Sequence, residues 1–139
     1  MRALLAAVLV ASCATAVAPP PNRLAGCWID RKPDNTAVTM RWLPDPEVPG
    51  ALRGDRMSYT PQGVGEDRGS YTLRQEAGTE AWMLCNLTAE RCWQVAEGES
   101  GSLEGGRAFI DATRERLRIS LIDGAVERII FQGARDGCD

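Results

Sequence analysis

Short runs of alternating apolar and polar residues recur along the chain, separated by clusters of Gly, Pro, Asn and Asp. No long segment keeps apolar positions at a three-to-four spacing without an early Gly or Pro, so the pattern is all-β. It predicts nine strands, over 24–29, 37–43, 55–60, 70–75, 80–85, 92–96, 107–112, 117–122 and 125–132. The stretch 44–50 holds Pro44, Pro46, Pro49 and Gly50 and cannot continue a ladder, while 63–69 and 97–106 read as flexible loops. With no repeat and no linker, this is one domain over 24–139, a meander that closes into a barrel or folds into a sandwich.

The N-terminus reads as an address. Met1-Arg2 supplies one charge, 3–11 is uninterruptedly apolar, and small residues precede Pro19-Pro20-Pro21, the order of a secretory signal. The apolar stretch is too short to span a bilayer. Ala14-Thr15-Ala16 fits the small-x-small cleavage rule, whereas Val10-Ala11-Ser12-Cys13 resembles the bacterial lipobox, whose Cys is acylated. The expectation is a leader over 1–18 and an extended Pro-rich spacer over 19–23. The membrane is then reached through the lipid anchor only. If Cys13 is lipidated, Ala14 after it resembles the enterobacterial sorting pattern and implies the periplasmic face of the outer membrane; without lipidation the expectation is a protein soluble in the periplasm or secreted.

Of five cysteines, Cys13 belongs to the leader, leaving Cys27, Cys85, Cys92 and Cys138, an even number suited to disulfides in an exported chain. Register decides the pairing. Opposing Cys85 to Cys92 aligns Leu84 with Trp93 and Trp82 with Val95 on one apolar face, with Ala81, Met83, Gln94 and Ala96 on the other. That favours a Cys85–Cys92 bridge and leaves Cys27 with Cys138, tying the first strand to the C-terminus. A zinc site would want closer paired spacings and has no His to use. In the last hairpin, Asp123-Gly124 fits a type I′ turn between Ile122 and Ala125. Leu117, Ile119 and Leu121 then oppose Ile130, Arg128 and Val126, a face apolar except for Arg128.

The 139 residues include no His, and 16 basic against 19 acidic residues give a net charge of -3, with Lys32 the only lysine. Every imidazole mechanism is excluded, no Gly-rich phosphate loop precedes a Lys, and the acidic balance argues against nucleic acid. The expectation is a non-enzyme with no catalytic residue, cofactor or metal. Asp45 and Glu47 form a solvated loop, and Arg41, between Met40 and Trp42, faces solvent.

Leu24-Ala25-Gly26-Cys27-Trp28 resembles the G-x-W kernel that opens the first strand of lipocalin-like (calycin) barrels, and the L-A-G-x-W start of small exported bacterial proteins of unknown function. The resemblance implies a small antiparallel up-and-down barrel of about eight or nine strands. Its structural kernel would be Gly26, Trp28 and an Arg from near the last strand lying across the indole, for which Arg128 is the matching position. It also implies binding rather than turnover, of a small apolar or amphipathic ligand in the barrel mouth. Trp42, Trp82, Trp93 and Arg128 are the candidate lining residues. The alternative is a periplasmic protein–protein module, such as a protease inhibitor or an envelope assembly partner, making contact through the loops 44–50 and 97–106.

Overall fold

The computed structural model describes residues 18–96 and 106–138. A short helix, α1 (Pro20–Leu24), precedes nine strands: β1 (Gly26–Arg31), β2 (Ala37–Pro44), β3 (Leu52–Thr60), β4 (Gly63–Gln75), β5 (Trp82–Asn86), β6 (Arg91–Val95), β7 (Arg107–Ala112), β8 (Arg116–Asp123) and β9 (Val126–Asp136). They form a closed barrel in chain order, and β9 returns to β1 through Cys27↔Asp136, Trp28↔Arg135 and Ile29↔Ala134. Closure leaves the sheet without two open edges. The leader, Cys13 and most of the expected 97–106 loop lie outside the described residues.

The barrel is all-β, as expected, but not antiparallel throughout. β6 and β7 are parallel, joined at Gln94↔Arg107 and Val95↔Ala108. Every other neighbouring pair is antiparallel.

Three local expectations are corrected. Pro20–Leu24 is helical rather than an extended spacer, so the strand begins at Gly26 and not at 24. Proline fixes φ near the helical value and gives up only an N–H that a first turn leaves unpaired, and burial of Pro20 and Leu24 holds the turn in place. Secondly, 63–69 is strand, the outer end of a long β3–β4 ribbon paired through Tyr59↔Val64 and Thr60↔Gly63. Both faces of that end meet solvent, so it carries no apolar alternation to read. Thirdly, the β8–β9 turn lies one residue later than expected. Asp123 faces Val126, Gly124 takes φ +60°, and the central pair is Gly124-Ala125, the glycine-first arrangement of a type II′ turn. The shift sets Leu121 opposite Arg128, and a bulge between Ile119 and Ser120 then sets Ile119 opposite Phe131.

The inward rows hold the core. Met40, Trp42, Leu73, Leu84, Trp93, Leu117, Ile119 and Leu121 are fully buried, as are Trp28 and Leu24. Each indole removes roughly 150–250 Å² from water, on the order of 4–6 kcal/mol of burial at about 25 cal/mol/Å². Trp42 lies against Gly54, its cross-strand neighbour, where a Cβ would stand 2.7 Å from the ring. The Cys85–Cys92 bridge closes the β5–β6 hairpin, and the Cys27–Cys138 bridge pins β1 to the C-terminus, both as the register implied.

Candidate functional site

Alternation along β2, β3 and β4 sends Met40, Trp42, Leu52, Gly54, Tyr71 and Leu73 inward. It therefore sends Arg41, Leu43, Arg53, Asp55, Met57, Arg68 and Ser70 outward. With Pro44 and Pro46 of the following loop and Thr88 of the β5–β6 turn, these outward side chains line a groove of about 520 Å³.

Its charge is one-sided. The outward Arg41, Arg53 and Arg68 line it against a single lining carboxylate, Asp55, and Arg56 borders it but turns inward. Asp55 stands between Arg41 on β2 and Ser70 on β4. It accepts from the Ser70 hydroxyl at 3.2 Å, while Arg41 makes neither a hydrogen bond nor an ion pair among the described residues. Arg68 donates Nε to the Gly65 carbonyl at 3.4 Å and has no carboxylate partner among the described residues. Arg53 Nη2 lies 3.8 Å from Asp45 and 3.7 Å from Glu47, and its buried Nε has no partner. Asp45 is buried and accepts the Glu47 backbone N–H at 2.8 Å, so it shapes the 44–50 loop and braces it on Arg53. Among the described residues no group of acidic or cysteine side chains could hold a metal ion.

A second polar cluster occupies one end of the barrel. Arg56 faces inward between Met40 and Gly69 and donates Nε to the Ile130 carbonyl at 2.9 Å. Since β3 and β9 are not neighbours, this bond crosses the barrel. Arg56 also pairs with Asp67, whose carboxyl is held below its ordinary value by that hydrogen bond. Burial pushes the Tyr71 phenol above its ordinary value, against the opposing charges of Arg56 and Arg128.

The expected site residues are dispersed. Trp42 and Trp93 are 0% and 1% exposed and belong to the core; Trp93 donates Nε1 to Asp123 at 3.1 Å, beneath the Arg91 guanidinium. Trp82 packs half-buried against the same core. Arg128 does not lie across Trp28. The guanidinium over that indole is Arg135, 4.0 Å from the ring centroid. Arg128 is seven residues earlier on β9, roughly 23 Å along the strand at about 3.3 Å per residue, exposed near the other end, where its charge is felt at Tyr71. Trp28 donates Nε1 to the Leu24 carbonyl at 3.0 Å, and Arg135 donates to Arg114 O at 2.7 Å and Ala25 O at 3.3 Å. Gly26 takes φ +127°, which strains any side chain, and a Cβ there would stand 2.7 Å from Arg135 Nη1 and displace it. The groove residues Arg53, Asp55 and Arg68 were not singled out by sequence reasoning. The signal was present in β3, where Arg53, Asp55 and Met57 alternate with Leu52, Gly54 and Arg56. No family model, curated protein or solved structure shows significant similarity to the chain.

Proposed function

We propose that this chain is an exported, non-catalytic binding protein of lipocalin-like type, anchored through a lipid on Cys13 at the periplasmic face of the outer membrane. Its function is to hold a small amphipathic ligand. The observation that carries the reading is the open, arginine-lined groove on the outer face of β2–β4, beside an interior occupied by Trp28, Trp42 and Trp93. Binding is therefore assigned to the outer wall and not to the mouth. Two disulfides support residence in an oxidising compartment. The guanidinium of Arg135 over Trp28, next to Gly26, supports the calycin reading on a different arginine from the one the sequence suggested.

A second reading, an envelope protein–protein module, is favoured by one observation. The 44–50 loop borders the groove through Pro44 and Pro46 and exposes Val48, which like Leu43 is 40% accessible. Native mass spectrometry of protein purified from its own host separates the two. A co-purifying small molecule is the expected result, and a co-purifying protein with no small-molecule adduct overturns it. Cys13→Ser should release the protein from membrane fractions, and unchanged fractionation removes the anchor.

A further inference from the structure

We propose that the outer groove binds an amphipathic anion, its carboxylate or phosphate head held between Arg41 and Arg68 and its apolar body laid along Leu43, Pro44 and Pro46. This deepens the ligand reading above and rests on it.

The head group follows from charge. The whole chain is net -3, yet this groove sets three outward arginines, Arg41, Arg53 and Arg68, against one lining carboxylate. One of the three, Arg53, is committed to the Asp45–Glu47 loop, and the neighbouring Arg56 turns inward to Asp67. Arg41 and Arg68 are not. The carboxylate opposite Arg41 is turned to Ser70, and Arg68 makes only a long backbone bond. Guanidinium forks without carboxylates recognise planar or tetrahedral oxyanions by paired, charge-assisted hydrogen bonds.

The apolar body follows from what lies beyond Arg41 along β2. Arg68 pairs across β3–β4 with Met57, and Arg41 pairs across β2–β3 with Asp55, so Met57 and the Ser70-bonded Asp55 both stand between them on the middle strand. Leu43, two positions along β2 from Arg41 on the same face, is 40% exposed, and the adjoining Pro44 and Pro46 have no backbone donor to satisfy. The scale fits a small molecule. The patch is three strands wide, roughly 10 Å at about 4.8 Å per strand. A volume of about 520 Å³ lies inside the range of small-ligand sites, whereas a stable protein partner would need on the order of 800 Å² from each side.

Calorimetric titration of the mature protein with sodium decanoate, decyl phosphate, uncharged 1-decanol and a deca-aspartate peptide tests this. Both anionic amphiphiles should bind at one site, more weakly as salt rises. Arg41→Gln with Arg68→Gln should weaken them at least about tenfold, the loss of one charge-assisted contact, with an unchanged melting temperature. Leu43→Ser should weaken both while leaving the preference for anion over alcohol intact. Undiminished binding in the double arginine variant places the ligand elsewhere; it overturns the groove while the ligand reading stands. Decanol binding as tightly as decanoate overturns the anionic head. Deca-aspartate binding more tightly than decanoate overturns the small ligand in favour of an acidic protein segment. If no amphiphile binds while host-purified protein still carries a small-molecule adduct, the ligand class proposed here falls alone; with no adduct either, both readings fall.

Discussion

Trp28 and Arg135 face each other across the β1–β9 seam, and the guanidinium stands 4.0 Å from the centre of the indole. This contact occurs where the barrel closes, one residue from the Cys27–Cys138 bridge. It joins elements that the chain order keeps far apart. Arg135 also ties the β7–β8 turn, through Arg114 O, to the segment before β1, through Ala25 O.

Arg135→Met removes the ring contact and both hydrogen bonds and should lower stability by about 1–2 kcal/mol. Arg128→Met, at an exposed position with no hydrogen bond, should change it by less than about 0.5 kcal/mol. Urea unfolding followed by tryptophan fluorescence measures both. Gly26→Ala should cost more than 1 kcal/mol, because it strains a φ of +127° and pushes a methyl onto Arg135. Equal midpoints for the two arginine variants would remove the clamp role of Arg135.

Arg128 has a different readout. Burial disfavours the Tyr71 phenolate, while the charges of Arg56 and Arg128 favour it and that of Asp67 opposes it. The folded protein therefore retains a proton that the unfolded chain releases near pH 10, about the ordinary phenol value. The stability linked to this group is complete below that pH and is lost as pH rises through the higher folded value. In Tyr59→Phe, Tyr71 is the sole tyrosine, and its near-ultraviolet phenolate absorbance should appear above the ordinary range. Adding Arg128→Gln should move it higher still, and adding Asp67→Asn should move it down. A titration indifferent to Arg128 would show that the two do not share an environment.

The two disulfides should contribute unequally. Chain-entropy estimates give about 2.4 kcal/mol for the seven-residue separation of Cys85–Cys92 and about 4.8 kcal/mol for the 111-residue separation of Cys27–Cys138. Replacing Cys27 and Cys138 by Ser should lower the melting temperature more than replacing Cys85 and Cys92. Alkylation of the unreduced protein should find no free thiol among these four.

What the sequence disclosed follows the physics of alternation. Leu117, Ile119 and Leu121 could be read as a buried face because one side of β8 meets the core and the other meets water. Cys85 opposite Cys92 was legible because Leu84 and Trp93 then fall on the same face. Alternation fails where both sides are wet, as in the 63–69 ribbon, and it says nothing of direction, so the parallel β6–β7 pair was hidden. Arg135 was hidden by compounding. A turn displaced by one residue and a bulge at Ile119/Ser120 shift every β9 assignment, and a single lone charge then drew attention to Arg128 instead. The groove was hidden because Arg41 reads only as exposed; that Asp55 turns away from it depends on where the Ser70 hydroxyl lies.

Trp28 and Trp42 are equally buried but should not be equally costly to change. Trp28 spends its Nε1–H on the Leu24 carbonyl and carries Arg135 on its face, so Trp28→Phe removes volume, a hydrogen bond and a cation–π contact, and it strands a buried carbonyl. Trp42 has a buried Nε1–H with no hydrogen-bond partner and a ring laid on Gly54. Trp42→Phe leaves a comparable void but also removes an unsatisfied donor, whose desolvation costs about 1–3 kcal/mol. The Trp28 substitution should therefore be more destabilising by roughly 1–2 kcal/mol, read from urea midpoints at constant slope. Gly54→Ala provides the control for Trp42, since its methyl would meet the indole at 2.7 Å in the wild type. In the Trp42→Phe background the smaller ring should leave it room, so the double variant should be more stable than the sum of the single losses. Strict additivity would mean that the indole does not rest on Gly54.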